Sequence, residues 1–290
     1  MSKDPYVYDD TNVLKNLANI KEQHKLDDYE TTMVNLGIIK LLKSDIEIVK
    51  VNDIFLIHKI LFENVYEWAG EKRVINIFKT EPILNGLSVT YSDYNKINDD
   101  LTKIQKDINS TEWKVLSKNE MINKIVKIIS SIWQVHSFRE GNTRVVTLFL
   151  YYFLKKLGFK VNREFIDKHA KYFRNALVRA NYQNLEKNIP YTMEYLNKFF
   201  GNLLLGEKNR LDNREMQIKE MGAKTTQKTT QKTTQKILDV LVKNPSATRA
   251  DLASATGLSP DGVKWNLDKL KKSGKIRRIG PDRGGHWEVV

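Results

Sequence analysis

The sequence predicts a mainly α protein, with an all-helical body carrying a small β-hairpin flap and a small α+β domain at the C-terminus. Three observations carry that reading. Apolar residues recur at three- and four-residue spacing through most of Thr11 to Leu205, the period of helices with a buried face. Asn85-Gly86, inside the stretch IFKTEPILNGLSVTY, is a strong hairpin signal. Lys224 to Lys236 repeats Lys-Thr-Thr-Gln three times with nothing to bury, which reads as a basic linker. The expected organisation is therefore 1–213 as the helical domain, 214–236 as the linker and 237–290 as the C-terminal domain.

The elements follow in order. Thr11 to Leu42 shows helical patterning through Leu14, Leu17, Ile20, Met33, Leu36, Ile39 and Leu42. Asp53 to Tyr66 repeats it with Ile54, Phe55, Ile57, Ile60, Leu61 and Val65, while His58, Phe62 and Tyr66 read as core or surface residues. The hairpin falls within Ile77 to Tyr91, and helix returns from Tyr91 to Ile108 until Asn109-Ser-Thr breaks it. Met121 to Val135 places Ile122, Ile125, Val126, Ile129, Ile132 and Trp133 on one face. Val145 to Leu157 is apolar nearly all round and stops at Gly158, the pattern of a central core helix. Asn162 to Leu185 reads as one or two helices, and Pro190 opens a helix from Tyr191 to Leu205.

Order returns after the repeats. Ile237 onward forms an amphipathic helix, and Thr248-Arg-Ala-Asp251 starts a second short one ending at Gly257. A third follows Leu258 to Gly262, with Val263, Leu267 and Leu270 inward and Lys264, Trp265, Asn266 and Lys269 outward or partly so. Ile276 to Val290 then reads as two strands around Gly280 to Gly285. Three helices and a hairpin resemble a winged helix-turn-helix, which implies a third helix for the DNA major groove. Lys264, Asn266 and Lys269 are its expected DNA contacts, with Arg277, Arg278 and Arg283 on or beside the wing. Folds of this shape also mediate protein contacts, and Trp265 either packs against the wing or faces a base.

Composition sets bounds. At 290 residues the chain can hold two domains, and 41% hydrophobic content excludes a largely disordered protein. The absence of cysteine excludes a disulfide scaffold, Cys-ligated zinc and thiol catalysis. MSKDPYVYDD carries no apolar signal region and no window is long enough for a membrane span, so a cytoplasmic protein without membrane partners is expected. Net charge is +13, and residues 221–290 carry 14 Lys and Arg against 6 Asp and Glu, which concentrates +8 in the smaller segment. That bias is what a nucleic-acid module shows, although ordinary solvated lysines produce it too.

The organising stretch is His136-Ser-Phe-Arg-Glu-Gly-Asn-Thr-Arg144, a polar turn between two core helices. Gly141 permits backbone angles that aim successive N–H groups into one cavity, at the start of a helix whose dipole favours an anion. Arg144 adds a forked cation for phosphate oxygens, and Glu140 is a hard oxygen ligand suited to Mg2+. His136 lies about one helical turn upstream, a base suited to neutral pH. Anion cradle, metal carboxylate, cation and base together describe phosphoryl or nucleotidyl transfer.

The stretch fills every fixed position of H-x-F-x-[DE]-G-N-x-R, and so resembles the signature of the Fic (fido) family. The segment Pro5 to Leu41, the run Trp68 to Arg73 and Asn76 to Lys79 resemble family members as well, and the likeness extends over roughly Pro5 to Asn213. The resemblance implies an all-helical core that transfers AMP from ATP to a Ser, Thr or Tyr hydroxyl of a target protein docked on the flap. It implies His136 as base, Glu140 on Mg2+, Gly141, Asn142 and Thr143 at the phosphates, and Arg144 at the distal ones. Phe138 would pack under the loop, and Lys79 and Thr80 would lie nearest the nucleotide on the flap. Tyr172, Asn175 and Tyr182 are the expected adenine and ribose neighbours. Where the commonest pattern has Pro, Gly and a second Arg, this chain has Ser137, Thr143 and Thr147, and the last change removes a cation from the γ-phosphate pocket. No strict self-inhibitory [ST]-x-x-x-E-[GN] motif is present; Glu207 and Glu215 are the nearest candidates for such a glutamate. The alternative reading is a DNA-binding regulator whose core senses nucleotide without useful transfer, and the oligomeric state stays open.

Overall fold

The computed structural model describes residues 4–218, 236–258, 260–281 and 285–289. Two compact units divide the chain, 1–219 and 220–290.

The first unit is built from eight helices among the described residues: α1 (Gln23–Lys43), α2 (Asp53–Phe62), α3 (Ile97–Asn109), α4 (Lys118–Val135), α5 (Asn142–Lys156), α6 (Arg163–Lys168), α7 (Ala170–Ala180) and α8 (Glu194–Phe200). A π-helical turn, Gly201–Leu205, continues α8. Helix α5 is the central rod. Val145, Val146, Leu148, Phe149, Leu150, Phe153 and Leu154 are all buried on it, which matches its near-continuous apolar sequence. It packs on α2 and α4, and α1 packs across α2. That crossing is tight at Gly37, where a Cβ would lie 2.6 Å from the Ile60 carbonyl oxygen. Helix α4 begins with a complete capping box: Ser117 N–H donates to Glu120 Oε2 at 2.9 Å, and Glu120 N–H donates back to Ser117 Oγ at 3.3 Å.

Some expectations change. Helix α1 begins at Gln23 rather than near Thr11, because the preceding segment satisfies its backbone locally. Asn16 donates to the Leu14 and Ile20 carbonyls and accepts from Ile20 N–H, while Val7 and Leu14 make an isolated bridge. Likewise α8 starts at Glu194, four residues beyond Pro190, and α3 starts at Ile97 rather than Tyr91.

The flap forms its turn but not its strands. Asn85 (φ 53°) and Gly86 (φ 86°) are both left-handed, and Leu87 N–H donates to the Leu84 carbonyl at 3.1 Å, as an Asn-Gly hairpin turn requires. Pro82–Leu84, however, is a short 3-10 turn, so the arm entering the turn is not a strand. Proline at its start has no N–H for a ladder, and Ile83 and Leu84 are drawn into the core. The base of the flap is clamped by a fully buried Glu81, which takes a two-pronged contact from Arg174 of α7 at 2.7 and 3.0 Å.

The second unit holds helical residues 236–243 (α9), α10 (Arg249–Thr256), α11 (Pro260–Lys272) and an antiparallel pair, β1 (Ile276–Ile279) and β2 (His286–Val289), in register Ile276 to Val289. Its own core contains Ile237, Leu241, Leu252, Val263, Leu267, Leu270 and Ile276. Thr248 and Asp251 form a second capping box at the start of α10. The repeats at 224–235 and Arg283 lie outside the described residues.

Candidate active site

Helix α4 ends on His136, whose backbone is left-handed at φ 51°, ψ 58° and whose N–H donates to the Trp133 carbonyl at 3.1 Å. The imidazole is buried. Its Nδ1 lies 3.3 Å from the Trp133 carbonyl oxygen and its ring stacks on Tyr91 at 3.9 Å, while Nε2 has no hydrogen-bond partner. Burial, aided by the charge of Lys79, holds its pKa well below that of a free histidine, so the ring is neutral and able to accept a proton. An unpartnered buried nitrogen is costly unless something is meant to meet it.

The turn after it is fixed from several directions. Asn142 closes it with its side chain, accepting from Phe138 N–H at 3.0 Å and donating to the Phe138 carbonyl at 2.7 Å. Its amide group is thus spent on the loop, and what Asn142 offers a phosphate is its backbone N–H. Phe138 stacks on His58 at 4.0 Å, which itself stacks on Phe62 at 4.6 Å. Gly141 has φ 82°, and a Cβ there would overlap the Phe62 ring, so glycine is required twice over. The first helical bond of α5 is Val145 N–H to the Gly141 carbonyl at 3.1 Å; the amides of Asn142, Thr143 and Arg144 precede it, at the helix end whose geometry and dipole suit an anion. Thr143 accepts Trp133 Nε1–H at 2.9 Å through its hydroxyl.

Glu140 is the electrostatic centre. Its carboxylate takes Lys79 Nζ at 2.7 Å, its own loop's Gly141 N–H at 2.9 Å, and Arg144 at 3.6 Å. Burial works against its ionisation, but Lys79, the Gly141 amide and Arg144 outweigh it and keep the carboxyl far below the ordinary range. Arg144 also reaches Glu30 on α1 at 2.7 Å and lies over the Phe62 ring at 4.8 Å. An ionised hard-oxygen carboxylate beside a row of amides fits Mg2+, which takes one or two carboxylates and completes its shell with phosphates and water. Lys79 and Mg2+ would compete for that carboxylate.

Of the expected site residues, His136, Glu140, Gly141, Asn142, Thr143, Arg144 and Lys79 come together here. Thr80 is exposed beside Lys79 on the flap. Tyr172, Asn175 and Tyr182 are buried. Asn175 donates to Asn213 at 2.7 Å, and the Tyr172 hydroxyl is buried without a partner. Glu207 and Glu215 are engaged elsewhere, with Asn209 at 2.6 Å and Lys198 at 3.5 Å; the carboxylate on Arg144 besides Glu140 is Glu30.

Several residues at the site carried no functional signal in the sequence. Arg73 is fully buried, with Nε on the His136 carbonyl at 2.8 Å, Nη1 on the Ile75 carbonyl at 2.7 Å and Nη2 on the Ser92 carbonyl. Its own N–H donates to the Ser137 carbonyl at 2.8 Å, so one residue ties the motif to the flap. His58, read as core, is core, yet its Nδ1 accepts Gly70 N–H at 2.8 Å and its Nε2 lies 3.3 Å from the Glu140 carbonyl. Burial lowers its pKa to about 3. Tyr91 covers His136. The family-like run Trp68 to Arg73 was the hint to Arg73; nothing in the sequence pairs Glu30 with Arg144.

On the second unit, Lys264 and Lys269 are exposed on α11, and Lys269 lies over the half-exposed Trp265 ring at 5.1 Å. Asn266 departs from the expectation. It is buried and donates to the Gly262 carbonyl at 2.8 Å, because its position falls on the Val263–Leu267–Leu270 side of the helix. Arg277 pairs with Glu288 across the strands, and Arg278 lies over Trp287 at 5.0 Å.

Comparison with known proteins finds similar sequences and a similar fold. A sequence model of the Fic/DOC family matches residues 48–154, and one described as winged helix-turn-helix DNA-binding matches residues 230–277. Curated relatives include protein adenylyltransferase VbhT of Bartonella schoenbuchensis, 25% identical over 185 residues, and probable protein adenylyltransferase y4lH of Sinorhizobium fredii, 28% identical over 179. The matches cover 63% and 61% of this chain, but 37% of VbhT and 88% of y4lH. Among solved structures, BepC of Bartonella tribocorum with bound AMPPNP aligns at TM-score 0.56 and 21% identity, over 71% of this chain and 97% of that one. A Fic domain of Bartonella quintana with bound ADP aligns at TM-score 0.55 and 21% identity, over 68% and 93%. Residues 48–154 of this chain thus resemble the Fic/DOC family, and the same polypeptide carries a segment, 230–277, that resembles winged helix-turn-helix domains.

Proposed function

We propose that the chain transfers AMP from ATP to a hydroxyl of a target protein. The observation that carries this is His136: a buried, neutral imidazole whose Nε2 lacks a partner, one turn of chain from a row of amides at the start of α5. Those amides would seat the α-phosphate. The target oxygen would attack the α-phosphorus as Nε2 takes its proton, the α–β bridging bond would break, and pyrophosphate would leave. Glu140 would hold Mg2+ together with the phosphates, which supplies charge neutralisation when the ion is bound. Names borne by the relatives support the reaction class. The target would lie against the flap, whose Phe78 is 72% exposed.

The test is incubation of the full chain with ATP labelled at the α-phosphate, Mg2+ and a cell lysate. Labelled protein bands are expected from the parent, with His136→Ala lowering transfer by roughly 10²- to 10⁴-fold, the usual worth of a general base. Equal labelling by both chains would remove His136 from the reaction.

For the second unit we propose DNA binding through Lys264 and Lys269 on α11, supported by their exposure and by the match of residues 230–277. Changing both to Ala is expected to weaken salt-sensitive retardation of duplex DNA, and unaltered retardation would point to another surface. A chain that retards DNA and binds ATP yet transfers no label would instead be a nucleotide-sensing regulator.

A further inference from the structure

Thr147 stands one turn along α5 from Thr143, and its hydroxyl donates to the Thr143 carbonyl at 2.8 Å. At this point a cavity of about 150 Å³ opens, lined by Thr143, Arg144 and Thr147 and also by Arg163, the first residue of α6. Ile38 and Ile166 are part of its apolar wall. Its volume is several times the roughly 30 Å³ that a liquid water occupies, enough for a phosphoryl group.

Arg163 is held where the chain turns into α6. Asn162 caps that helix by accepting Phe165 N–H at 3.0 Å. Arg163 Nε reaches Asp167 at 3.4 Å, but Nη1 is buried with no hydrogen-bond partner. A guanidinium N–H withdrawn from water and left unpaired is costly, and its charge and forked shape suit it to phosphate oxygens. The apolar wall strengthens any such contact by excluding water. Asp167 also lines the cavity and would repel an anion, but its side chain is 60% exposed and its field is correspondingly screened.

The geometry assigns Arg163 to the distal phosphates of ATP. With the α-phosphate on the amides at the start of α5, the remaining phosphates run past Arg144 into this cavity, where Arg163 supplies a second cation from α6. Arg163 is thus a specificity-determining residue, distinguishing nucleoside triphosphate from monophosphate. The assignment rests on the proposed nucleotide site, and its test separates the two.

Full-length chain is titrated calorimetrically with ATP and with AMP, each with Mg2+. The parent is expected to prefer ATP. Arg163→Ala should weaken ATP binding by about tenfold to a hundredfold, the worth of a charged hydrogen bond, while AMP affinity stays within about twofold. Arg163→Lys, which keeps the charge but not the fork, should recover part of the preference. Asp167→Asn should move the ratio the other way. If the parent binds ATP and Arg163→Ala keeps the full preference, or loses both nucleotides equally, this assignment alone is overturned. A parent that binds neither nucleotide overturns it together with the nucleotide site.

Discussion

The motif turn and the flap face the same site but are built on opposite principles. From His136 to Asn142 the turn is buried except at Arg139 and Glu140, and it is tied by Arg73, His58, Phe62 and the Asn142 side chain. The flap is anchored at its base by Glu81 and Arg174, and its entering arm, 77–80, forms no ladder: Phe78 is 72% exposed and Lys79 N–H meets only the Ser88 hydroxyl, at 3.2 Å. Chemistry needs atoms held to fractions of an ångström, whereas docking a varied chain needs unpaired backbone that can accept a new partner. The contrast teaches that the rigid part of this site is bought with buried polar contacts, and the adaptable part by leaving them out.

The sharpest way to break that contrast is Gly141→Ala. The left-handed φ and the Phe62 ring both oppose a Cβ, so the turn must shift, and transfer is expected to fall by about 10²-fold or more as phosphate geometry is lost. A parent-like rate would show that the turn adapts. Next comes Arg73→Met, which strips the His136, Ile75 and Ser92 carbonyls of their partner. A loss of about 3–5 kcal/mol in denaturant unfolding is expected, with a comparable collapse of transfer. A cost under about 1 kcal/mol would mean the turn does not depend on it.

A smaller effect follows from the buried neutral His58. Its folded pKa of about 3 lies below the ordinary value of 6.5, so the unfolded chain binds the proton first as pH falls. Stability is therefore unaffected above about pH 6.5 and is lost on acidification toward 3, at about 1.4 kcal/mol per pH unit for this group. Unfolding curves at pH 7, 6 and 5 measure the slope, and a flat profile would contradict the assignment. Smallest in stability is Phe78→Ala on the flap, expected to cost under about 0.5 kcal/mol because the ring is exposed. It should raise KM for the protein target several-fold while ATP affinity holds, and a fall in ATP affinity instead would erase the division between the two regions.

What could be read from the sequence tracks how local each signal was. Helices α4 and α5, the polar turn between them and the capping box of Thr248 and Asp251 follow from spacing and from residues three or four apart, and each stands where it was expected. The Asn85-Gly86 turn was legible for the same reason, but its strands were not, because burial of Ile83 and Leu84 and the chemistry of Pro82 decide them. Among the site residues, those inside the nine-residue motif were visible together. Arg73, His58, Tyr91 and Glu30 reach the site only through tertiary packing, with Arg73 lying 63 residues from the carbonyl its Nε serves, and no spacing rule joins such positions. Asn266 was misplaced outward because a polar residue on a short amphipathic helix reads as solvent-facing, whereas its side chain returns to the Gly262 carbonyl one turn back.

The motif turn is held to present a neutral imidazole beside the amides that would seat a phosphate, and the 15N resonances of the chain's five histidines test this most directly. With His136 identified by its disappearance in His136→Gln, its nitrogens should still report an uncharged ring at acidities where a free histidine is protonated, and should shift when ATP and Mg2+ are added. A His136 that titrates near 6.5, or that does not move with nucleotide, would contradict the account.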